Sequence, residues 1–278
     1  MLIPVKDFSI DTTLMAGQTF AWKRLDDGWV SFIDKPILVR QISENELIVT
    51  GETSRGEIER RLGLKDDIEK IISSIDKDET IHQAILHSPG LRIVEDGLWV
   101  SLLSFVLSIQ SNIPLIKKRI EALSSIYGRK ETIEGKEVFS FPTYSQIYEH
   151  PELLKRAKLG FREKFVLEAA NFLQKEELQI ENMKKIREKL FEIKGVGDKV
   201  LDCVMLYGMH DLSAFPIDVW IKRILHEHYA SMINGLKSYK DIRKRMIEYF
   251  GDYAGYAQLY LFIEARARRS DRMFFKKN

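Results

Sequence analysis

The sequence has a single cysteine, Cys203, and no run of 18 or more apolar residues. One cysteine excludes an intramolecular disulfide, and it also excludes a four-cysteine zinc or iron–sulfur site. The lack of a long apolar run argues against a membrane span. The first residues, Met1 to Lys6, also lack the basic start and long apolar core of a signal peptide. We therefore expect an intracellular protein, cytoplasmic or nucleoid-associated if the source is prokaryotic, with no membrane partner.

The chain also lacks a large net charge, since 43 basic and 41 acidic residues leave +2 at pH 7. Such a balance by itself favours no particular partner. The basic residues are nevertheless grouped in residues 117–119, in residues 184–189 and in the tail from Arg266 to Lys277. Solvated helix faces account for any one of these groups, so their meaning depends on what else the chain holds.

Two kinds of periodicity divide the 278 residues, of which 45% are hydrophobic. Short apolar or alternating segments at 8–16, 17–22, 29–33, 36–40 and 46–50 are separated by turn sequences and predict an antiparallel sheet. From Ser54 onward the spacing predicts helices over 54–62, 65–74, 77–87, 98–109, 113–127, 143–148, 151–156, 161–175, 182–193, 198–209, 217–228, 238–249 and 254–269. We expect an α+β fold, with an N-terminal antiparallel β-sheet domain and trailing helices over 1–95. This domain packs on a large all-α body over 96–278.

The stretch from Phe191 to Cys203 contains two glycines, Gly195 and Gly197, between two helical patterns. Glycine has no Cβ, so the backbone amides there can approach another molecule closely. The free amides and the dipole at the start of the second helix favour an anion. The pattern predicts a helix, a hairpin and a helix over about 182–209 that hold a phosphate.

Lys199 follows this hairpin directly, and Asp218 comes nineteen residues later, after Pro216. Most lysines are solvated surface residues, but a lysine in the first turn of a helix lies at the positive end of the dipole. This position disfavours the ammonium form and favours the neutral, nucleophilic amine. Asp218 is placed as a helix N-cap, where a carboxylate would also stabilise developing positive charge or handle a proton. Cys203 lies one helical turn after Lys199, and we expect it to be a packed pocket residue.

The run Lys194-Gly-Val-Gly-Asp-Lys199, followed by Pro216-Ile-Asp218, resembles the helix-hairpin-helix base-excision DNA glycosylases with a Gly/Pro-Asp loop. The lysine resembles the bifunctional branch, whose members excise a base and also cut the strand. The segment Gly17-Gln-Thr-Phe-Ala-Trp22 is similar to a motif of the 8-oxoguanine DNA glycosylases. In that family the glycine carbonyl accepts a hydrogen bond from N7–H of the oxidised base. Normal guanine lacks this proton, so one acceptor discriminates between the two bases.

Further positions carry the same resemblance. Gln258 and Phe262 match the residues that bond the Watson–Crick edge of the base and stack on it, and Cys203 matches the residue on the other face. Phe161 and Arg162 match the aromatic wedge and the arginine that reads the orphaned cytosine. Each position also has a plainer interpretation, since aromatic residues at helical spacing are mostly core and an isolated glycine in a strand is often a bulge.

Other matched positions depart from the family pattern. Gln110 and Asn112 lie in the loop that resembles the one filling the vacated space in the DNA, with Gln110 where the family often has asparagine. A second cytosine-reading arginine is missing after this loop, which argues against strict selectivity for an opposite cytosine. Trp220 stands where the eukaryotic enzymes carry a histidine near the DNA backbone.

The resemblance implies a monomeric glycosylase and lyase that acts on double-stranded DNA containing 8-oxoguanine. Lys199 would attack C1′ to form a Schiff base, Asp218 would stabilise the oxocarbenium-like transition state, and β-elimination would cut the strand. No organic cofactor or iron–sulfur cluster is implied, and the hairpin carbonyls would suit a monovalent cation. Two alternatives stay open: a glycosylase of the same superfamily for another lesion, and a non-catalytic module that uses the hairpin only as a phosphate clamp.

Overall fold

The protein is described by a computed structural model that covers residues 1–176 and 182–275, with side chains through Arg268. It consists of an N-terminal five-stranded antiparallel sheet and a large helical body, which confirms the predicted α+β class. Of the basic tail, Lys276 and Lys277 lie outside the described residues. Within the described ranges, no helix has both the length and the apolar character needed to cross a membrane.

The sheet holds the strands β1 (Leu2–Pro4), β2 (Trp22–Leu25), β3 (Gly28–Ser31), β4 (Ile37–Ser43) and β5 (Glu46–Thr50), in the order β1-β5-β4-β3-β2. Val39 of β4 pairs with Trp29 on one side and with Val49 on the other. All three side chains are buried in one apolar cluster. The register is therefore set by the apolar face, because a slip of one residue would turn these side chains to solvent.

Several stretches differ from the sequence prediction, and the first is strand β1, which lies before the first predicted segment. Residues 8–16 were expected to be extended, but Ile10–Met15 form helix α1, which Ser9 caps by accepting a hydrogen bond from the Thr12 amide at 3.2 Å. Residues 17–21 connect this helix to β2 without forming a strand. A second hairpin, β6 (Lys130–Ile133) with β7 (Lys136–Phe139), was not predicted. It turns at Glu134 and Gly135, both of which have positive φ.

The helical segments predicted from Ser54 onward are all present, with ends that differ by a few residues, and the segment at 151–157 is a 3₁₀ helix. A further short helix at 230–233 was not predicted. The helices are α2 (Arg55–Arg61), α3 (Ile68–Ile75), α4 (Glu79–Leu86), α5 (Leu98–Leu107), α6 (Ile113–Tyr127), α7 (Tyr144–Glu149), α8 (Glu163–Lys175), α9 (Met183–Phe191), α10 (Asp198–Met209), α11 (Val219–His228), α12 (Ala230–Ile233), α13 (Tyr239–Phe250) and α14 (Ala254–Phe275).

Helix α10 runs through the middle of the helical body, and residues 200–208 are all buried. It packs closely on α5 at Gly208, where a Cβ would lie 2.9 Å from Cβ of Ser101 and 3.0 Å from the carbonyl oxygen of Gly97. Only glycine fits this approach, because real Cβ contacts are wider. The buried packing fixes the axis of α10, and with it the position of the helix N-terminus.

Candidate active site

A cavity of about 900 Å³ opens at the N-terminus of α10. Its walls come from the segment after α1, the end of α5 with the loop that follows, the hairpin before α10, the start of α11, and α14. Eleven of the thirteen predicted site residues line it: Gly17, Gln110, Asn112, Gly195, Gly197, Lys199, Cys203, Asp218, Trp220, Gln258 and Phe262. The other two, Phe161 and Arg162, lie outside its lining.

Lys199 lies in the first turn of α10, as predicted, and its amine is held against the end of α5. Its Nζ donates a hydrogen bond to Oγ of Ser108 at 3.0 Å and lies 5.1 Å from the centroid of the Phe105 ring. The Ser108 hydroxyl itself donates to the Phe105 carbonyl at 2.6 Å. Because the Ser108 hydroxyl donates its proton to this carbonyl, it acts as the acceptor in the hydrogen bond from Lys199. Ser108 was not predicted as a site residue.

Asp218 caps α11, which confirms its predicted N-cap position. Its Oδ1 accepts hydrogen bonds from the amides of Trp220 and Ile221, both at 2.9 Å. Burial raises the pKa of the carboxyl, while the amide hydrogen bonds and the charge of Lys199 oppose that rise. The carboxylate is thus held rigidly in a poorly solvated wall of the cavity.

Cys203 lies one turn after Lys199 and is only 4% exposed. Burial raises the pKa of its thiol to about 12, although the neighbouring Lys199 opposes this rise. A thiol with this pKa is protonated at neutral pH and is a weak nucleophile. Its environment agrees with the predicted packed pocket residue.

The first and last parts of the chain meet at Gly17, which has φ +85°. A Cβ at this position would lie 2.8 Å from Cδ1 of Ile113, 3.3 Å from Nη1 of Arg266 and 3.5 Å from Cε1 of Phe262. Both the backbone conformation and the crowding therefore require glycine. The residue follows a helix and lies in a bend, so the interpretation as a strand bulge is wrong.

Gln258 lines the cavity from α14 and is 4% exposed, so its side chain is buried in the cavity wall. Its Oε1 accepts a hydrogen bond from the hydroxyl of Tyr207 at 3.2 Å. The Tyr207 ring in turn stacks on Phe105, with the centroids 5.5 Å apart. Tyr207, which Phe105 supports by stacking, thus holds the Gln258 amide in place. Neither Tyr207 nor Phe105 was predicted as a site residue.

The loop after α5 is anchored by Arg162, whose side chain points inward. Its Nε donates to the carbonyl of Ile109 and its Nη2 to the carbonyl of Gln110, each at 2.7 Å. Gln110 has φ +48°, and Asn112 caps the next helix. Nη2 also donates to the Ile109 carbonyl, and Arg162 is 6% exposed, which is the geometry of a loop anchor. Its predicted role as a base reader stays a prediction.

Phe161 precedes this arginine and is 44% exposed, with its ring 4.3 Å from the Arg162 guanidinium. An exposed aromatic side chain is what a wedge between bases requires. The predicted role of Phe161 as a wedge stays a prediction.

The hairpin between α9 and α10 is closed by a hydrogen bond from the Val196 amide to the Ile193 carbonyl at 2.9 Å. Gly195 has φ +98°, and a Cβ there would lie 2.5 Å from Cγ of Phe165 on α8. Packing therefore requires this glycine whether or not DNA binds. Gly197 caps α10 and has nothing within 4 Å of its would-be Cβ, which leaves the helix N-terminus accessible to an anion.

Arg266 was not predicted as a site residue, although it lies one helical turn after Phe262. Its guanidinium is 5.3 Å from the Phe262 ring centroid, and its Nη1 donates to the Ala16 carbonyl at 3.4 Å. Burial lowers the pKa of Arg266, and the charge of Asp218 opposes this. The cavity therefore holds a second cation besides Lys199.

Trp220 lines the cavity at the start of α11, and the Arg223 guanidinium lies 5.2 Å from its ring.

Within the described part of the chain, no cluster of three histidine, cysteine, aspartate or glutamate side chains is placed to hold a metal ion. The monovalent cation expected at the hairpin stays a prediction.

Comparisons with known proteins give consistent matches. The family model described as "8-oxoguanine DNA glycosylase, N-terminal domain" matches residues 1–102. A probable N-glycosylase/DNA lyase of Methanothermobacter thermautotrophicus is 28% identical, with 96% of each chain covered. The structure of MBOgg1 in complex with a low-affinity DNA ligand is 31% identical, with a TM-score of 0.87 over 96% of this chain and 95% of that one. The Clostridium acetobutylicum 8-oxoguanine glycosylase/lyase, in complex with double-stranded DNA containing cytosine opposite 8-oxoG, is 28% identical, with a TM-score of 0.85 over 97% and 98%.

Proposed function

This chain belongs to the 8-oxoguanine DNA glycosylase/lyase family of the helix-hairpin-helix superfamily, and we propose that Lys199 and Asp218 carry out its reaction. The chain is a DNA N-glycosylase with abasic-site lyase activity, and its substrate is duplex DNA containing 8-oxoguanine. The observation that carries the assignment of residues is that the Lys199 amine and the Asp218 carboxylate share one cavity with Gly17 and Phe262.

The damaged nucleotide has to leave the duplex, because its C1′ and base edge are unreachable inside the stack. A cavity of about 900 Å³ is large enough for a nucleotide. In our proposal the base lies between Cys203 and Phe262, with the Gly17 carbonyl accepting N7–H and Gln258 bonding the Watson–Crick edge. Phe161 and the loop at Gln110 would hold the gap open, against an unstacking cost of about a few kcal/mol.

The proposed chemistry begins when Lys199 gives up its ammonium proton to water, which leaves the nucleophilic amine. Its lone pair attacks C1′, the bond from C1′ to N9 breaks, and the electron pair leaves with the base, which takes up the proton that the attacking nitrogen gives up. The sugar ring then opens to give a Schiff base between Nζ and C1′. Loss of a proton from C2′ expels the 3′ phosphate and cuts the strand. Asp218 stabilises the positive charge that develops on the sugar during the first step.

We also propose contacts between the protein and the DNA backbone, because free amides at a helix N-terminus attract phosphate. The hairpin amides at Gly195 and Gly197 bind a DNA phosphate, and Trp220 and Asn112, which line the cavity, border the DNA, while Arg162 supports the loop that carries Gln110. A monovalent cation would take its ligands from the hairpin carbonyls and supply charge for a phosphate, and no step of the base excision runs through it. One chain supplies every residue of the proposed mechanism, so we propose that the protein acts as a monomer.

A panel of lesions tests the substrate. The purified protein is incubated with duplexes that carry one 8-oxoguanine, one thymine glycol or one hypoxanthine, and strand cleavage is measured. We expect cleavage only at 8-oxoguanine. Cleavage only at thymine glycol would instead support a superfamily member for an oxidised pyrimidine, and binding to all duplexes without cleavage would support a non-catalytic module.

A further inference from the structure

Asp202 lies three residues after Lys199 on α10, and its carboxylate is completely buried. It accepts hydrogen bonds from Arg187 of α9 and from Nε of Arg243 on α13, the second at 2.9 Å. A third donor is the hydroxyl of Tyr239 at 2.7 Å. Burial raises the pKa of the Asp202 carboxyl, while the two guanidinium groups oppose the rise. A buried ion cluster of this kind is weak evidence for stability, because its desolvation offsets much of its attraction.

The Tyr239 hydroxyl is bonded on both sides. It donates to Oδ2 of Asp202, and it accepts a hydrogen bond from the Ile217 amide at 3.1 Å. Ile217 immediately precedes Asp218, and the Tyr239 side chain forms part of the cavity wall. One oxygen atom therefore joins the helix that carries Lys199 to the segment that carries Asp218.

We propose that Tyr239 is a positioning residue that sets Asp218 at its working distance from Lys199. The cap hydrogen bonds of Asp218 come from Trp220 and Ile221, so they fix the carboxylate relative to α11 but not relative to α10. The hydrogen bonds from Ile217 to Tyr239 and from Tyr239 to Asp202 fix the Asp218 segment relative to α10. Electrostatic stabilisation of a transition state requires such preorganised geometry, and misplacement by about 1 Å is enough to cost two orders of magnitude in rate. This inference rests on the proposed roles of Lys199 and Asp218.

The test is Tyr239→Phe, which keeps the ring and removes only the bridging hydroxyl. We expect the single-turnover rate of 8-oxoguanine excision to fall about tenfold or more, while the DNA concentration for half-saturation changes less than about twofold. The matched control is Tyr249→Phe on the same helix. Its hydroxyl donates to Asp78 at 2.9 Å, outside the cavity lining, so this variant should excise at the wild-type rate.

A double variant separates positioning from general weakening of the fold. If Tyr239 acts through Asp218, then Tyr239→Phe should slow excision in the wild-type background and have almost no further effect in Asp218→Asn. Losses that multiply in the double variant, or a Tyr239→Phe rate equal to that of Tyr249→Phe, would overturn the inference.

Thermal unfolding of each variant shows whether the chain still folds. Should Tyr239→Phe fail to fold, replacing the amide between Pro216 and Ile217 by an ester removes the donor at the other end of the bridge. The same loss of rate at unchanged half-saturation is expected, and an unchanged rate would overturn the inference. Failure of the proposed function is distinguishable, because Asp218→Asn would then itself excise at the wild-type rate.

Discussion

Gly17 and Phe262, 245 residues apart in the sequence, face each other so closely that a Cβ on the glycine would lie 3.5 Å from the phenylalanine ring. The two residues border the cavity that contains the Lys199 amine. The cavity is therefore completed only when the segment after α1 and helix α14 come together over α10. In the proposed mechanism, chemistry and lesion recognition thus depend on different parts of the chain.

Gly17→Ala should impair lesion recognition much more than strand cleavage at an abasic site. The added methyl would meet Ile113 at 2.8 Å, and φ +85° is strained for alanine. We expect excision of 8-oxoguanine to fall at least about tenfold, in line with the loss of one well-placed polar contact to the base. Cleavage of a duplex with a preformed abasic site should change little.

The matched control for this variant is Gly56→Ala, because Gly56 lies in α2 with nothing within 4 Å of its would-be Cβ. Its rates should equal those of the wild type on both substrates. Equal losses on both substrates in Gly17→Ala would remove the glycine from base recognition.

Asp218→Asn should bind DNA but excise slowly. The asparagine oxygen still accepts the cap hydrogen bonds of Trp220 and Ile221, so the start of α11 is preserved, while the negative charge is lost. Removing one preorganised electrostatic group costs about 10² to 10³ in rate. Single-turnover excision and a DNA-binding titration measure the two properties, and an unchanged excision rate would exclude Asp218 from the mechanism.

The excision rate should depend on pH through the ionisation of the buried Asp218 carboxyl. Burial raises the pKa of Asp218 above its usual 3.8, and excision needs the ionised form, so the single-turnover rate should fall as the pH drops through that raised pKa. The positive charge of Arg266 lowers this pKa. Arg266→Met should therefore raise the pH at which the excision rate falls on acidification, whereas Arg266→Lys should leave that pH nearly unchanged. The same pH dependence in Arg266→Met and in the wild type would contradict this assignment.

Arg162→Ala distinguishes the two possible roles of this side chain. The inward geometry, with hydrogen bonds to the carbonyls of Ile109 and Gln110, makes it an anchor of the loop after α5. We therefore expect excision to fall by a similar factor with cytosine, adenine, guanine or thymine opposite the lesion. Loss of the buried hydrogen bonds should also lower the free energy of unfolding by about 1 to 3 kcal/mol. A fall confined to duplexes with cytosine opposite the lesion would show that Arg162 reads that base.

The sequence was most informative where function depends on local signals. A few neighbouring residues were enough to interpret the two hairpin glycines, the lysine that follows them and the aspartate after Pro216. The structure places the Lys199 amine and the Asp218 carboxylate at helix N-termini, as expected. Helix α1 was missed because it is only six residues long, contains β-branched residues and depends on the cap at Ser9.

The supporting residues were missed for a different reason. Tyr239 matters through Asp202 and Ile217, and Arg266 matters through its approach to Ala16, 250 positions away in the chain. No periodicity or spacing reports such contacts, because they exist only after the helices have packed. For Arg162 the resemblance supplied a role, but the orientation of the side chain depends on the carbonyls of a distant loop.

If Lys199 is the nucleophile that forms the Schiff base, borohydride should reduce that bond and leave Lys199 covalently attached to the DNA. The wild-type protein and Lys199→Gln are incubated with an 8-oxoguanine duplex in the presence of borohydride, with Lys70→Gln as the control because Lys70 is an exposed residue of α3. We expect a covalent protein–DNA adduct in the wild type and in Lys70→Gln, with the modified peptide carrying Lys199, and no adduct in Lys199→Gln. An adduct of normal yield in Lys199→Gln, or a modified peptide that carries another amine, would show that Lys199 is not the nucleophile.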